Sequence, residues 1–223
     1  MLNVDRERMV ATQLEARGIT DPLVLEAMRV VPRERFVPTY LAVFAYDDGA
    51  LPIGKGQTIS QPYVVAAMAQ VVQIKPGERV LEIGTGSGYG AAVLSRIAGE
   101  VYTVERIGEL AETVRGRLAA LGYDNVHVRE GDGSRGWPEH APYEAILVTA
   151  GGPRVSAALL HQLAVGGRLI MPVGTDSRSQ RLVRVTRTDA HEYEHENLES
   201  VEFVPLIGAE GWPEGGSPCT STS

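Results

Sequence analysis

A chain of 223 residues, 43% hydrophobic and 22% charged, has the make-up of a water-soluble globular protein, long enough to bury about 70% of its unfolded surface. Its net charge of −7 argues against broad nucleic-acid binding, and no apolar run approaches the ~20 residues of a membrane span. The opening MLNVDRERMV is charged rather than signal-like, and the lone Cys219 has no internal disulfide partner, so a cytoplasmic setting is expected.

In chain order, residues 3–17 place Val4, Met9, Ala11 and Leu14 toward one helix face, with Gly18 just past the end. Asp21 and Pro22 suit the N-cap and first position of a second helix over 23–31, which Pro32 stops. A third short helical piece is expected around 41–45. None of this shows strand–helix alternation, so residues 1–75 read as a helical cap, either scaffold or lid. Within them LPIGKGQTISQP, at 51–62, is rich in Gly and Pro and is either a connector or a binding loop. A helix over 63–72 follows it.

From Arg79 the alternation is regular. Strands are expected at 80–83, 101–104, 126–129, 143–149 and 168–173, with helices at 89–98, 107–121 and 155–163 and a Gly166-Gly167 turn before the last strand. Such alternation implies a parallel sheet with helices on both faces and ligands at the carboxyl ends of its strands. Gly84–Gly88, Glu105, Gly131–Gly133 and Thr149–Gly152 all fall there. Residues 179–188 and 200–205 read as closing antiparallel strands, which fits a methyltransferase-type sheet better than a dinucleotide-type one. The tail over residues 213–223 is expected to be flexible, within one compact domain overall.

VLEIGTGSGYGAA, at 80–92, runs from strand through three alternating glycines into a small-residue helix, the first unit of a nucleotide-type fold. Glu82 sits where a phosphate-binding turn would rarely place an acid. Glu105, about 20 residues after Gly84, suits ribose hydroxyls in both NAD and S-adenosyl-L-methionine (AdoMet) proteins, so spacing alone leaves both open. His127, His140, His161, His191 and His195 show no metal spacing, and no metal is expected. Trp137 and Trp212 read as packing residues.

Taken together, GQTISQP at 56–62, VLEIGTGSGYGAAVLS at 80–95, VYTVER at 101–106, GDGSRGWPEHAPYEAILVTA at 131–150 and GGRLIMPVG at 166–174 resemble the protein-L-isoaspartate (D-aspartate) O-methyltransferases. The likeness runs from about Arg6 to Trp212, and GQTISQP is its specific motif. One departure is Gly151-Gly152, where alanines are usual, which could loosen that loop.

The resemblance implies a Rossmann-like class I AdoMet-dependent methyltransferase, α/β in class, with a cap and substrate loop at 1–75 and a cofactor-binding core at 76–212. It implies methyl transfer to the free α-carboxylate of isoaspartyl, and by the family's name D-aspartyl, residues of proteins. The product cofactor would be S-adenosyl-L-homocysteine (AdoHcy). The ester then closes to a succinimide that reopens partly to normal aspartate. Ser60 matches the active-site residue. Thr58, Ile59, Gly84, Gly86, Ser87, Gly88, Glu105, Asp132 and Gly133 fall on the cofactor side, and Thr58, Ser60 and Val204 on the substrate side.

Plainer roles remain open: Ser60 as a helix cap before Pro62, Glu105 as a solvated strand-end acid, Asp132 as a turn former. Rival functions are a same-fold enzyme methylating a normal Asp of one dedicated peptide, an AdoMet-binding protein without catalysis, and an NAD-dependent oxidoreductase. Intact GQTISQP argues against the AdoMet-binding protein without catalysis, and the lack of a hydride-transfer residue set against the oxidoreductase. A monomer is expected.

Overall fold

The computed structural model describes residues 2–176 and 179–214. Most of the expected flexible tail, including Cys219, lies outside the described residues.

The N-terminal helix starts as α1 (Leu2–Met9), widens by a turn over Val10–Leu14, tightens over Glu15–Arg17, and stops at Gly18 with φ 90°. Asp21 caps α2 (Pro22–Val30), its carboxylate accepting from the Leu23 and Val24 N–H groups at 2.8 and 3.4 Å. This satisfies donors that a helix start leaves unpaired. Two tight turns, Arg33–Phe36 and Thr39–Phe44, follow on either side of Pro38.

The Gly/Pro-rich stretch is more ordered than a connector. Leu51–Gly54 (β1) and Gln57–Ile59 (β2) form an antiparallel hairpin with Leu51 opposite Ile59. Lys55 and Gly56 turn it at φ 53° and 68°, the positive pair that matches strand twist. Its strands are too short for alternation to announce them. Pro62 then opens α3 (Pro62–Val71) at the first helical position.

The main sheet takes β3 (Arg79–Ile83), β4 (Glu100–Glu105), β5 (Val126–Glu130), β6 (Tyr143–Val148), β7 (Leu163–Gly174), β8 (Gln180–Arg187) and β9 (Tyr193–Val201) in the order β5-β4-β3-β6-β7-β8-β9. The first five in that order run parallel, and β8 and β9 close it antiparallel. Connecting helices are α4 (Tyr89–Ser95), α5 (Gly108–Ala120) and α6 (Ala157–Gln162).

Two expectations at the C-terminal side are corrected. The Gly166-Gly167 turn lies inside β7, where pairing begins at Leu163 opposite Tyr143 and resumes at Arg168 opposite Ala145, so residues 164–167 bulge out. The last strand is Tyr193–Val201, not 200–205. Its charged sequence YEHENLESV carries little hydrophobic alternation, and the chain after Val201 leaves the ladder to bond Gly151 instead.

β3 is buried on both faces, as a central parallel strand should be. On one face Val80 joins an apolar cluster that continues through Leu94 of α4 and Met68 of α3 to Met28, Leu14 and Met9 of the cap. On the other, Leu81 and Ile83 pack with Ile146, Leu159, Met171 and Leu206.

Candidate active site

The chain runs β3, β4, β5 toward one sheet edge and then returns to β6 on the other side of β3. That reversal opens a crevice at the strands' carboxyl ends. After Ile83 the backbone is held on both sides: Gly84 N–H donates to Val104 O at 2.9 Å, and Thr149 N–H donates to Ile83 O at 2.8 Å. The Thr149 hydroxyl also donates to Gly84 O at 2.8 Å. Gly84 sits at φ 96°, and a Cβ there would meet Thr149 Oγ1 at 2.5 Å, so no other residue fits this crossing.

Glu105 ends β4 inside this crevice and is 6% exposed. Its Oε2 accepts from Gly86 N–H and its Oε1 from Ile107 N–H, both at 2.9 Å. The carboxylate therefore ties the glycine turn to the start of α5, while each oxygen keeps accepting capacity. It is a fixed, buried acid and not a solvated one at a strand end.

Glu82 lies deeper, 2% exposed. Its Oε2 accepts from the Thr103 hydroxyl at 2.6 Å, and Thr103 Oγ1 lies 2.7 Å from Thr85 Oγ1. Burial pushes its pKa up to about 8, the Thr103 bond opposes this, and the Glu105 charge adds to it. At neutral pH the cleft thus holds one buried carboxyl in its acid form.

The exit of β2 brings Thr58, Ile59 and Ser60 to the mouth of this cleft, which Gly84, Gly86, Ser87, Glu105 and Gly133 also line. The segment Val204–Ile207 closes the opposite rim. It is strapped there: Gly151 N–H donates to Val204 O and Leu206 N–H to Gly151 O, both at 2.8 Å, and the Trp212 indole donates to Gly151 O at 3.0 Å. Gly152 is held as well, its N–H donating to Pro172 O at 3.0 Å, so backbone bonds pin both glycines.

Ser60 does not cap α3. The N-cap is Gln61, with no side-chain bond, and the Ser60 hydroxyl bonds no described residue. A second groove, lined by Arg17, Gln61, Tyr63 and Glu199–Pro205, adjoins the cleft, and Thr58, Ser60, Thr149 and Val204 line both.

Two expected cofactor residues stand apart. Gly88 (φ 85°) is the N-cap of α4; a Cβ there would meet Val114 Cγ1 at 2.6 Å, so it packs closely on α5. Asp132 spends its oxygens on its own neighbourhood: Oδ1 accepts from Ser134 N–H and Oγ at 2.9 and 2.7 Å, and Oδ2 from Ala209 N–H at 2.8 Å. Those bonds hold its pKa below the ordinary value against the opposing effect of burial. It lines a neighbouring depression with Arg106 and Trp212. Thr85, Thr149 and Leu206 also line the cleft; Thr85 and Thr149 fall in segments expected at the strands' carboxyl ends, but neither was singled out as a site residue. Among the described residues no three His, Cys, Asp or Glu side chains converge as a metal site would require. His127 pairs with Glu100 at 2.6 Å, and His127 and His140 both stack on Tyr102.

A mainly parallel sheet with an antiparallel edge pair, and an acid-lined cleft at the ends of β3 and β4, define a class I methyltransferase fold. The family model for protein-L-isoaspartate(D-aspartate) O-methyltransferase (PCMT) matches residues 5–211, and the chain belongs to that family. It is 64% identical over 207 residues to protein-L-isoaspartate O-methyltransferase 1 of Rhodopseudomonas palustris strain HaA2, covering 93% of this chain and 84% of that one. It is 60% identical over 204 residues to the Protochlamydia amoebophila protein-L-isoaspartate O-methyltransferase, covering 92% and 97%. A solved protein-L-isoaspartate O-methyltransferase superposes with a TM-score of 0.85 at 33% identity, covering 92% of this chain and 67% of that one. A Plasmodium falciparum structure, solved with S-adenosyl-L-homocysteine, shares the fold at a TM-score of 0.78 and 24% identity, covering 91% and 98%.

Proposed function

We propose that this protein transfers a methyl group from AdoMet to the free α-carboxylate of L-isoaspartyl residues in damaged proteins, releasing AdoHcy and starting repair through a succinimide. The observation that carries this reading is the position of Ser60. Its unpartnered hydroxyl stands where the acid-lined cleft meets the groove along Glu199–Pro205.

The cleft fits the cofactor chemically. Glu105 is rigid and retains lone pairs for vicinal hydroxyls, and its charge favours a ligand carrying positive charge. When bound, AdoMet supplies a methyl group on a positively charged sulfur. The acceptor α-carboxyl, with a pKa of roughly 3.3–3.7, is already ionised at neutral pH, so no general base is needed. The protein's work is therefore positioning. Ser60 can donate to the carboxylate without neutralising it as Arg or Lys would, and Thr58 flanks it. Val204 lines the same junction and supports the peptide reading of the groove.

Incubation with labelled AdoMet and matched isoAsp and Asp peptides tests this. Base-labile methyl on the isoAsp peptide alone is the expected result; label on the Asp peptide would favour the dedicated-peptide rival. We further infer a monomer acting in the cytoplasm on proteins rather than nucleic acids, with residues 1–75 serving as cap and substrate loop. The net charge of −7 supports proteins over nucleic acids as partners, and no helix among the described residues is long and apolar enough to cross a membrane.

A further inference from the structure

Arg33 carries its side chain into the interior of the cap and is 0% exposed. Among the described residues no carboxylate pairs with it. Its Nε donates to Ala45 O at 2.7 Å, its Nη2 donates to Ser60 O at 2.8 Å, and its Nη1 has no hydrogen-bond partner among the described residues. The guanidinium lies over the Tyr89 ring, 4.8 Å from its centroid. Tyr89 and Tyr46 are the titratable groups that bear on it, and burial lowers its pKa.

A buried charge without an ionic partner is an expensive way to fill space, and an apolar residue of similar volume would stabilise the cap better. The contacts show what the charge achieves. One planar group joins the end of the Thr39–Phe44 turn, the exit of β2 at Ser60, and the first residue of α4, which itself lines the cleft. We propose that Arg33 is the positioning residue for Ser60, fixing its main chain against Ala45 and Tyr89 so that the hydroxyl stays at the junction of cleft and groove. This deepens the function proposed above and rests on it. Arg is required because its fork presents Nε and Nη2 to two carbonyls at once, whereas Lys offers one point donor.

The test is a cycle of Arg33→Lys, Ser60→Ala and the double variant. It reads kcat/KM on an isoAsp peptide, AdoHcy affinity by calorimetry, melting temperature, and hydrogen exchange over residues 57–62. Arg33→Lys is expected to lower kcat/KM ~10-fold in the native background and less than ~2-fold beside Ser60→Ala, as for a residue acting through another. AdoHcy affinity should stay within ~3-fold, since only the peptide side loosens, and exchange over 57–62 should quicken. Equal losses in both backgrounds, or unchanged activity in a folded Arg33→Lys protein, overturn the proposal. Should Arg33→Lys melt below the assay temperature, Arg33→Met removes the buried charge and repeats the cycle, with native kcat/KM as the overturning result. If the native protein fails to methylate the isoAsp peptide, the function reading fails, while exchange over 57–62 still reports whether Arg33 holds Ser60.

Discussion

Glu82 has a measurable signature without any substrate. Its folded pKa of about 8 lies above the ordinary value of 4.5, so between those limits the folded state binds the extra proton and stability falls as pH rises. Glu82→Gln keeps an acceptor for Thr103 and removes the ionisation. It should stabilise the protein by roughly 2–5 kcal/mol at pH 9, and the gain should vanish below about pH 4. Denaturant melts at both pH values check this; a gain independent of pH would contradict it. Glu105→Ala should weaken AdoMet binding by about 1.5–3 kcal/mol, roughly 10- to 150-fold in Kd, measured by titration calorimetry. Ser60→Ala should lower kcat/KM for an isoAsp peptide ~10- to 100-fold with AdoMet affinity nearly intact and no new activity on Asp. At this scale much was legible in sequence. Glu105 was marked by its distance from the glycine turn, and Ser60 by its motif. Asp132 and Gly88 were not separable from the lining residues, because a turn former and a ligand contact favour the same residue types.

Among the elements, Arg168 of β7 performs the main cross-tie outside the site. Its Nε donates to Val72 O at 2.6 Å, and its Nη1 donates to Glu144 O at 3.1 Å. Its Nη2 donates to Gln73 O and pairs with Glu78 at 3.1 Å. The two charged side chains are only 12% and 14% exposed. Arg168→Ala would strand a largely buried Glu78 and several carbonyls at the join of α3, β3 and β7, and should destabilise by about 3–5 kcal/mol in urea unfolding. The parallel strands that Arg168 braces were readable because both faces are buried and apolar runs betray them. The β1–β2 hairpin and β9 were not, since their partners lie on neighbouring strands and most of their side chains face water. Where burial does not write a period into the residues, register comes only from tertiary pairing.

Considered whole, the molecule has a cap whose apolar face continues without a break into one side of the sheet, from Met9 and Met28 to Val80 and Val101. Cap and core should therefore melt together. One calorimetric transition with equal van't Hoff and calorimetric enthalpies is expected, and two resolved transitions would refute it. Met28→Ala, in a cap residue 0% exposed, should destabilise the entire transition by about 2–5 kcal/mol rather than a local unit.

The strap from Val204 to Trp212 also has a meaning in time. Chains emerge from the ribosome N-terminus first, and domains fold as units once enough of the chain is out. The glycine turn, Glu105 and Ser60 are made early, but the rim facing them is Val204–Ile207, pinned through Gly151, and Trp212 is its last tie. A nascent chain arrested near residue 200 would thus hold every polar group of the cleft and still lack a wall. Translation itself delays the moment at which the protein can take up AdoMet until the strap from Val204 to Trp212 has been synthesised.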